Sequence, residues 1–166
     1  MLLYPKFYYE NVQSIDLEEL YKEGIKGIIL DVDNTLIDYK RIMPQGIKEW
    51  VDKAKNKSFK VCILSNSNRK DKISKVAEDL NLEYIMYAKK PMKSGYVKVL
   101  KMLGLPAEKC IAVGDQVFTD VIGANRMNIV SAYVEPINLK EYWYTKWKRP
   151  IEAWILNCYK KKKEGK

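Results

Sequence analysis

GIKGIILDVDNTL, residues 24–36, runs a β-rich apolar stretch straight into two aspartates and a threonine spaced Asp-x-Asp-x-Thr. Four further runs of the same character follow: KVCILS (60–65), EYIMYA (83–88), KCIAVGD (109–115) and NIVSAYV (128–134). Each is short, nearly continuous in apolar residues and rich in β-formers, which predicts five strands. The stretches between them, 45–57, 69–80, 92–103 and 120–127, carry helical periodicity. Pro44 and Pro91 suit helix first turns, and Gly104 suits a helix end. Apolar strands alternating with helices predict an α/β fold, a doubly wound parallel sheet of five strands covered on both faces. A short helix is expected within SIDLEELYKEG (14–24), across one edge of the sheet, and a basic amphipathic helix over 148–160. The chain reads as one domain, with a core over about 12–134 and a basic, aromatic extension over 135–166.

In such sheets, ligands bind beyond the carboxyl ends of the strands. The first strand ends in Asp31 and Asp33, whose i, i+2 spacing turns both toward one pocket. Two adjacent carboxylates repel unless a cation or a shared proton intervenes, so the pair points to metal binding or proton transfer. The second strand ends in Ser65-Asn66-Ser67-Asn68, the third is followed by Lys89-Lys90-Pro91, and the fourth runs into Gly114-Asp115 with Thr119-Asp120 close behind. One rim thus collects an acid pair, hydroxyls, lysines and a second acid pair. With nine Asp and three Thr in 166 residues, the Asp-x-Asp-x-Thr spacing alone would arise by accident in roughly one such sequence in a hundred. Its occurrence at a strand end beside three more polar strand ends sets it apart from chance.

Composition removes other chemistries. The chain has no histidine, which excludes Ser–His–Asp and Cys–His catalysis and imidazole-ligated metals. Three widely spaced cysteines form neither a disulfide framework nor a thiolate zinc cluster. No apolar run approaches the ~18 residues of a membrane span, and MLLYPKFYYE lacks the unbroken apolar core of a secretory signal, so a cytoplasmic protein is expected. The net charge is +9, and residues 140–166 hold nine Lys/Arg against three Glu together with Trp143, Trp147 and Trp154. Such a tail fits either a polyanion or an anionic membrane surface, or else a solvated end whose tryptophans pack on the body.

DVDNTL, LSNS, KKP and GDQVFTD resemble, in order and on the expected strands, the four motifs of the haloacid dehalogenase (HAD) superfamily of aspartate-nucleophile phosphatases. A narrower likeness, to the YqeG-type phosphatases of HAD subfamily IIIA, rests on SIDLEELYKEGIKGIILDVDNTL, the GDQVFTD form of the last motif, and EPINLKEY with KRPIE after the fifth strand. That group is similar to organellar phosphatases of phosphatidylglycerophosphate.

The resemblance implies a HAD-like Rossmannoid three-layer fold and a Mg²⁺-dependent phosphomonoesterase with an aspartyl-phosphate intermediate. Asp31 would be the nucleophile and Asp33 the general acid and base. Lys90, favoured over Lys89 by its place before proline, would screen charge. Ser65, Asn66, Lys90 and Thr35 would serve the phosphoryl group, with Thr35 orienting the loop. The metal set would be Asp31, Asp33 through its backbone carbonyl, Asp115 and Asp120, the last holding a metal-bound water or the lysine. The intervals 31–65 and 65–90 are too short for an inserted cap domain, so the site is expected to be capless and open. An open site favours large phosphorylated substrates, at a membrane surface on the cytoplasmic side, with phosphatidylglycerophosphate as the foremost candidate. The other reading is a nucleic-acid or ribosome-associated binding or assembly factor, or a polynucleotide or phosphoprotein phosphatase, on the same fold. Without a recognisable nucleic-acid motif it ranks lower.

Overall fold

The computed structural model describes residues 2–138 and 147–164. Its elements are β1 (Phe7–Tyr9), α1 (Leu17–Lys22), β2 (Gly27–Leu30), α2 (Ile47–Asn56), β3 (Lys60–Leu64), α3 (Lys70–Leu80), β4 (Glu83–Ile85), α4 (Lys93–Leu103), β5 (Cys110–Gly114), α5 (Ile122–Asn125), β6 (Val130–Val134) and α6 (Arg149–Glu164). The strands form one sheet in the order β1-β6-β5-β2-β3-β4, and every pairing is parallel. β2 lies between β3 and β5, so the Asp31 segment emerges mid-sheet, the usual place for a ligand crevice in this topology.

Strand alternation sorts the core into layers. Ile28, Leu30, Ile63, Ile111 and Val113 face one side, packing with Leu20 of α1, Val51 of α2 and Ile73 of α3. Ile29, Cys62, Leu64, Cys110 and Ala112 face the other, against Tyr96 and Val99 of α4 and Ala124 of α5. α6 adds Ile155 and Leu156 to Tyr133 of β6 and to Val117 and Val121. These layers are the doubly wound arrangement the alternation of runs predicts.

The sheet has six strands where five are expected. The sixth, β1, pairs Phe7, Tyr8 and Tyr9 with Ala132, Tyr133 and Val134. Its three residues are all half-buried, so it shows neither the alternation nor the long apolar run that marks a strand. Its aromatic rings lie against the body, Tyr8 stacking on Tyr133 with 5.2 Å between centroids. Helix starts also shift. α2 begins three residues after Pro44 with Gly46 as its cap, and α4 follows Met92 rather than Pro91. The fourth predicted helix, 120–127, is preceded by a wide turn over Val117–Val121 that swings Asp120 back toward β5. α6 runs to Glu164, and the two described tryptophans of the basic tail, Trp147 and Trp154, are exposed rather than packed. Trp143 lies outside the described residues, as do Lys140, Lys146 and Lys166.

No domain is inserted at either point where a cap would stand. Residues 31–59 hold a tight turn closed by Asp38, which accepts from Lys40 and Ile42 backbone N–H groups, and then α2. Residues 65–92 hold α3 and β4.

Candidate active site

Asp31 continues the β2 ladder by one bond, donating its N–H to the Val113 carbonyl at 3.0 Å. This fixes its backbone beside the end of β5, where Gly114 leads into Asp115. The turn after Asp115 returns Asp120 over Gly114, and a Cβ at position 114 would lie 2.3 Å from the Asp120 carboxyl carbon. Glycine is therefore required there by the close approach of a side chain. Asp31, Asp115 and Asp120 are all buried and can each present one carboxylate oxygen within 4.8 Å of the others.

Lys90 neutralises part of this charge. Its Nζ donates to Asp31 Oδ1 at 2.7 Å and to Asp120 Oδ1 at 2.6 Å, and the side chain is buried. Asn66 holds the lysine's backbone from both sides: Oδ1 accepts the Lys90 N–H at 2.6 Å, and Nδ2 donates to the Lys90 carbonyl at 3.0 Å. Lys89 instead turns outward over the Tyr87 ring, so the geometry separates the two lysines that the sequence leaves almost equivalent.

The remaining sequence-derived residues fall around this centre. Thr35 donates its hydroxyl to Asp115 Oδ1 at 3.4 Å, so it contacts a carboxylate rather than open space. Ser65 is buried, and its Oγ accepts the Ser67 N–H at 3.1 Å. The carboxylate of Asp33 stands apart from the trio. It accepts from Lys72 Nζ at 2.5 Å and faces a cavity of about 520 Å³. Asn66, Lys72, Tyr39, Tyr87 and Lys148 also line that cavity. A larger hollow of about 760 Å³ near the start of β6 is lined by Tyr4, Tyr159 and Lys162, among others, and contains no carboxylate.

Burial dominates the electrostatics. It pushes the Asp31 pKa up to about 7, with Asp120 and Asp33 adding to the rise and Lys90 opposing it. Burial likewise raises Asp115 well above the ordinary carboxylate range against the pull of Arg149. For Lys90, burial works against the charge, but the carboxylates of Asp120 and Asp31 outweigh it and raise its pKa. A compact set of carboxylate oxygens, with no sulfur or imidazole, suits a hard divalent cation such as Mg²⁺, which would offset their mutual repulsion.

Three charged groups at this site were not foreseen. Lys72 is buried on the α3 face that also carries Ile73, Val76 and Leu80. A lysine in line with that apolar stripe is its sequence signal. Arg149 of α6 donates from Nη1 to the Asp115 carbonyl at 2.6 Å and forms an ion pair with its carboxylate through Nη2. Glu152, also buried, accepts from Arg149 Nη1 at 3.2 Å. Its signal is being the one acidic residue in the basic stretch 142–163.

A sequence profile of haloacid dehalogenase-like hydrolases matches residues 42–128. The chain is 34% identical over 160 residues to the "Probable phosphatase YqeG" of Bacillus subtilis, covering 95% of this chain and 92% of that one. It is 25% identical over 146 residues to phosphatidylglycerophosphate phosphatase 1, chloroplastic/mitochondrial, of Arabidopsis thaliana; the match takes in 82% of this chain and 42% of that protein's length. Among solved structures, a protein from Listeria monocytogenes serotype 4b superposes with a TM-score of 0.59 at 21% identity, covering 70% of this chain and 84% of that one.

Proposed function

The chain belongs to the haloacid dehalogenase-like hydrolases and is a phosphatase of that family, and from that premise we propose a Mg²⁺-dependent phosphomonoesterase that acts on phosphatidylglycerophosphate through an aspartyl-phosphate on Asp31. The observation that carries this reading is the carboxylate trio of Asp31, Asp115 and Asp120 set against buried Lys90, beside the cavity that Asp33 faces.

In the first half-reaction an Asp31 oxygen forms a bond to phosphorus as the bond to the alcohol oxygen breaks, and Asp33 gives that oxygen its proton. In the second, Asp33 takes a proton from water, the water oxygen bonds to phosphorus, and the Asp31–phosphorus bond breaks. Asp31, Asp115 and Asp120 would hold the cation, which supplies positive charge against the phosphoryl oxygens. Lys90 keeps the Asp31 carboxylate from repelling the incoming phosphate. The Ser65 oxygen accepts the Ser67 N–H, leaving its own O–H to donate to a phosphoryl oxygen, and the adjacent Asn66 N–H would be the second donor. Lys72 holds Asp33 toward the cavity.

The lipid substrate is supported by the likeness to the Arabidopsis phosphatase and by the surroundings of the site. Among the described residues no cap covers the cavity, Tyr39 and Tyr87 stand exposed at its rim, and Lys148 lines it. An anionic headgroup presented at a bilayer surface suits that opening better than a small metabolite, which would need enclosing.

Phosphate release from a panel containing phosphatidylglycerophosphate in mixed micelles, soluble sugar phosphates and nucleotides tests the reading. The lipid phosphate should be the best substrate, EDTA should abolish turnover, and D31N should lower it by at least about 10³-fold. Undiminished turnover in EDTA or in D31N would refute the mechanism. Preference for a soluble phosphate would refute the substrate.

A further inference from the structure

We propose that Arg149 and Glu152 of α6 are positioning residues that clamp Asp115 and the turn bearing Asp120 into cation-binding geometry. The inference rests on the reading above, in which Asp115 holds the cation. Both residues lie outside the 42–128 span that matches the family profile.

The contacts form a closed chain. The guanidinium grips Asp115 twice, by its backbone carbonyl through Nη1 and by carboxylate Oδ2 through Nη2. A planar fork bonded to both ends of one residue fixes the direction of that residue's side chain. Oδ1 stays within 3.4 Å of the Thr35 hydroxyl, so the two carboxylate oxygens are held from different sides. Glu152 completes the chain: Oε2 accepts from Arg149 Nη1 at 3.2 Å, and Oε1 accepts the Phe118 N–H at 3.1 Å. Phe118 lies in the same turn as Asp120. One carboxylate thus ties the guanidinium to the backbone that carries the third acid of the trio.

Two alternatives fit less well. If the pair served only to dock α6, apolar contacts would suffice, since Ile155, Leu156 and Tyr159 of this helix are already buried. Glu152 is buried and Arg149 half-buried, and the cost of taking such charges out of water offsets much of their attraction, so the ion pair is a poor way to add stability. If Arg149 served to neutralise the site, a partner glutamate would defeat the purpose. Arg149 and Glu152 together carry no net charge. Orientation is what remains. Lys90 leaves two negative charges on the three carboxylates, which a divalent cation would balance.

The test measures Mg²⁺ affinity of the metal-free full-length protein by calorimetry, alongside kcat, KM and melting temperature. R149Q and E152Q should each weaken Mg²⁺ binding about tenfold or more and lower kcat similarly, as loss of partners behind metal ligands does, while KM stays within about twofold. R149K should recover only part, since an ammonium lacks the planar fork that spans the carbonyl and the carboxylate of Asp115. Y159A, which loosens α6 two turns beyond the clamp, where Tyr159 packs on Tyr4 and donates to the Lys6 carbonyl, should lower the melting temperature and leave Mg²⁺ affinity alone. E152Q is nearly isosteric and keeps the question answerable if R149Q does not fold. Unchanged Mg²⁺ affinity in both R149Q and E152Q would overturn the proposal. Tighter binding would overturn it too, by making Arg149 a competitor for the site. D115N separates the two levels: if it leaves Mg²⁺ binding intact, the metal reading itself has failed, whereas loss in D115N alone rejects only the clamp.

Discussion

Asp31 is asked to be both buried and ionised, and its environment shows the tension. Its pKa stands at about 7 instead of 3.8, mainly through burial, with Asp120 and Asp33 adding and Lys90 subtracting. In metal-free protein at pH values between those two, the folded state holds a proton that the unfolded chain has released. Stability therefore falls as pH rises through this window, by at most about 1.4 kcal/mol per unit, and levels off above it. Asparagine at position 31 has no such proton. In EDTA, the melting temperature of D31N should exceed that of the wild type by a margin that widens from pH 5 to pH 8. A margin constant with pH would mean that Asp31 carries no raised pKa. Asp31, Asp33, Ser65, Lys90 and Asp115 were legible because each sits at or just beyond the end of a strand that the apolar runs mark out. Lys72 and Glu152 stand out as odd residues in an apolar stripe and a basic run, but their roles and that of Arg149 were not legible, because their partners Asp33 and Asp115 lie 39 and 34 residues away, with Glu152 reached through Arg149.

Among the elements, the segment joining β5 to α5 departs furthest from expectation. The spacing predicts a helix from residue 120, yet the chain makes a wide turn over Val117–Val121 first. The reason is visible in Asp120, which accepts from Lys90 and from the Gln116 N–H and so binds the turn to the site rather than capping a helix. β1 went unread for a different reason. Three half-buried aromatic residues at a sheet edge carry no alternation, and their pairing with β6 spans some 125 positions. The turn has a consequence that can be measured. Alanine at 114 would put a methyl group 2.3 Å from the Asp120 carboxyl carbon, and Asp120 is tethered on both oxygens. G114A should displace that carboxylate, lowering kcat by about 10²-fold. Overpacking of about 1–3 kcal/mol should lower the melting temperature by about 2–12 °C without unfolding the protein at room temperature. A variant with wild-type turnover would show that Asp120 is not needed where the structure places it.

Across the whole molecule, charge and exposed aromatic surface gather beside the site. Ile151 and Trp154, three residues apart, share one side of α6, and Trp147 lies in the turn that leads into it. The two tryptophans are 66% and 67% exposed, while Ile155, Leu156 and Tyr159 are buried. Arg149 connects the helix to Asp115, and Lys148 next to Trp147 lines the same cavity as Asp33. Further along, Lys160 lies over Tyr8 and Lys163 over Tyr159, so part of the basic run is drawn onto the body. No helix among the described residues is long and apolar enough to cross a membrane. Interfacial tryptophans beside lysines suit an anionic bilayer, where each lysine near the surface contributes about 1 kcal/mol. The protein should sediment with vesicles containing phosphatidylglycerol at low salt and much less with neutral phosphatidylcholine vesicles. Binding should be lost near 1 M salt, where charges are screened beyond ~3 Å. Replacing Trp147 and Trp154 together by alanine should weaken sedimentation and turnover of the micellar lipid phosphate, and leave turnover of a small soluble phosphate unchanged. Equal loss on both substrates would place the tryptophans in the fold instead, and equal binding to neutral vesicles would remove the electrostatic part of the argument.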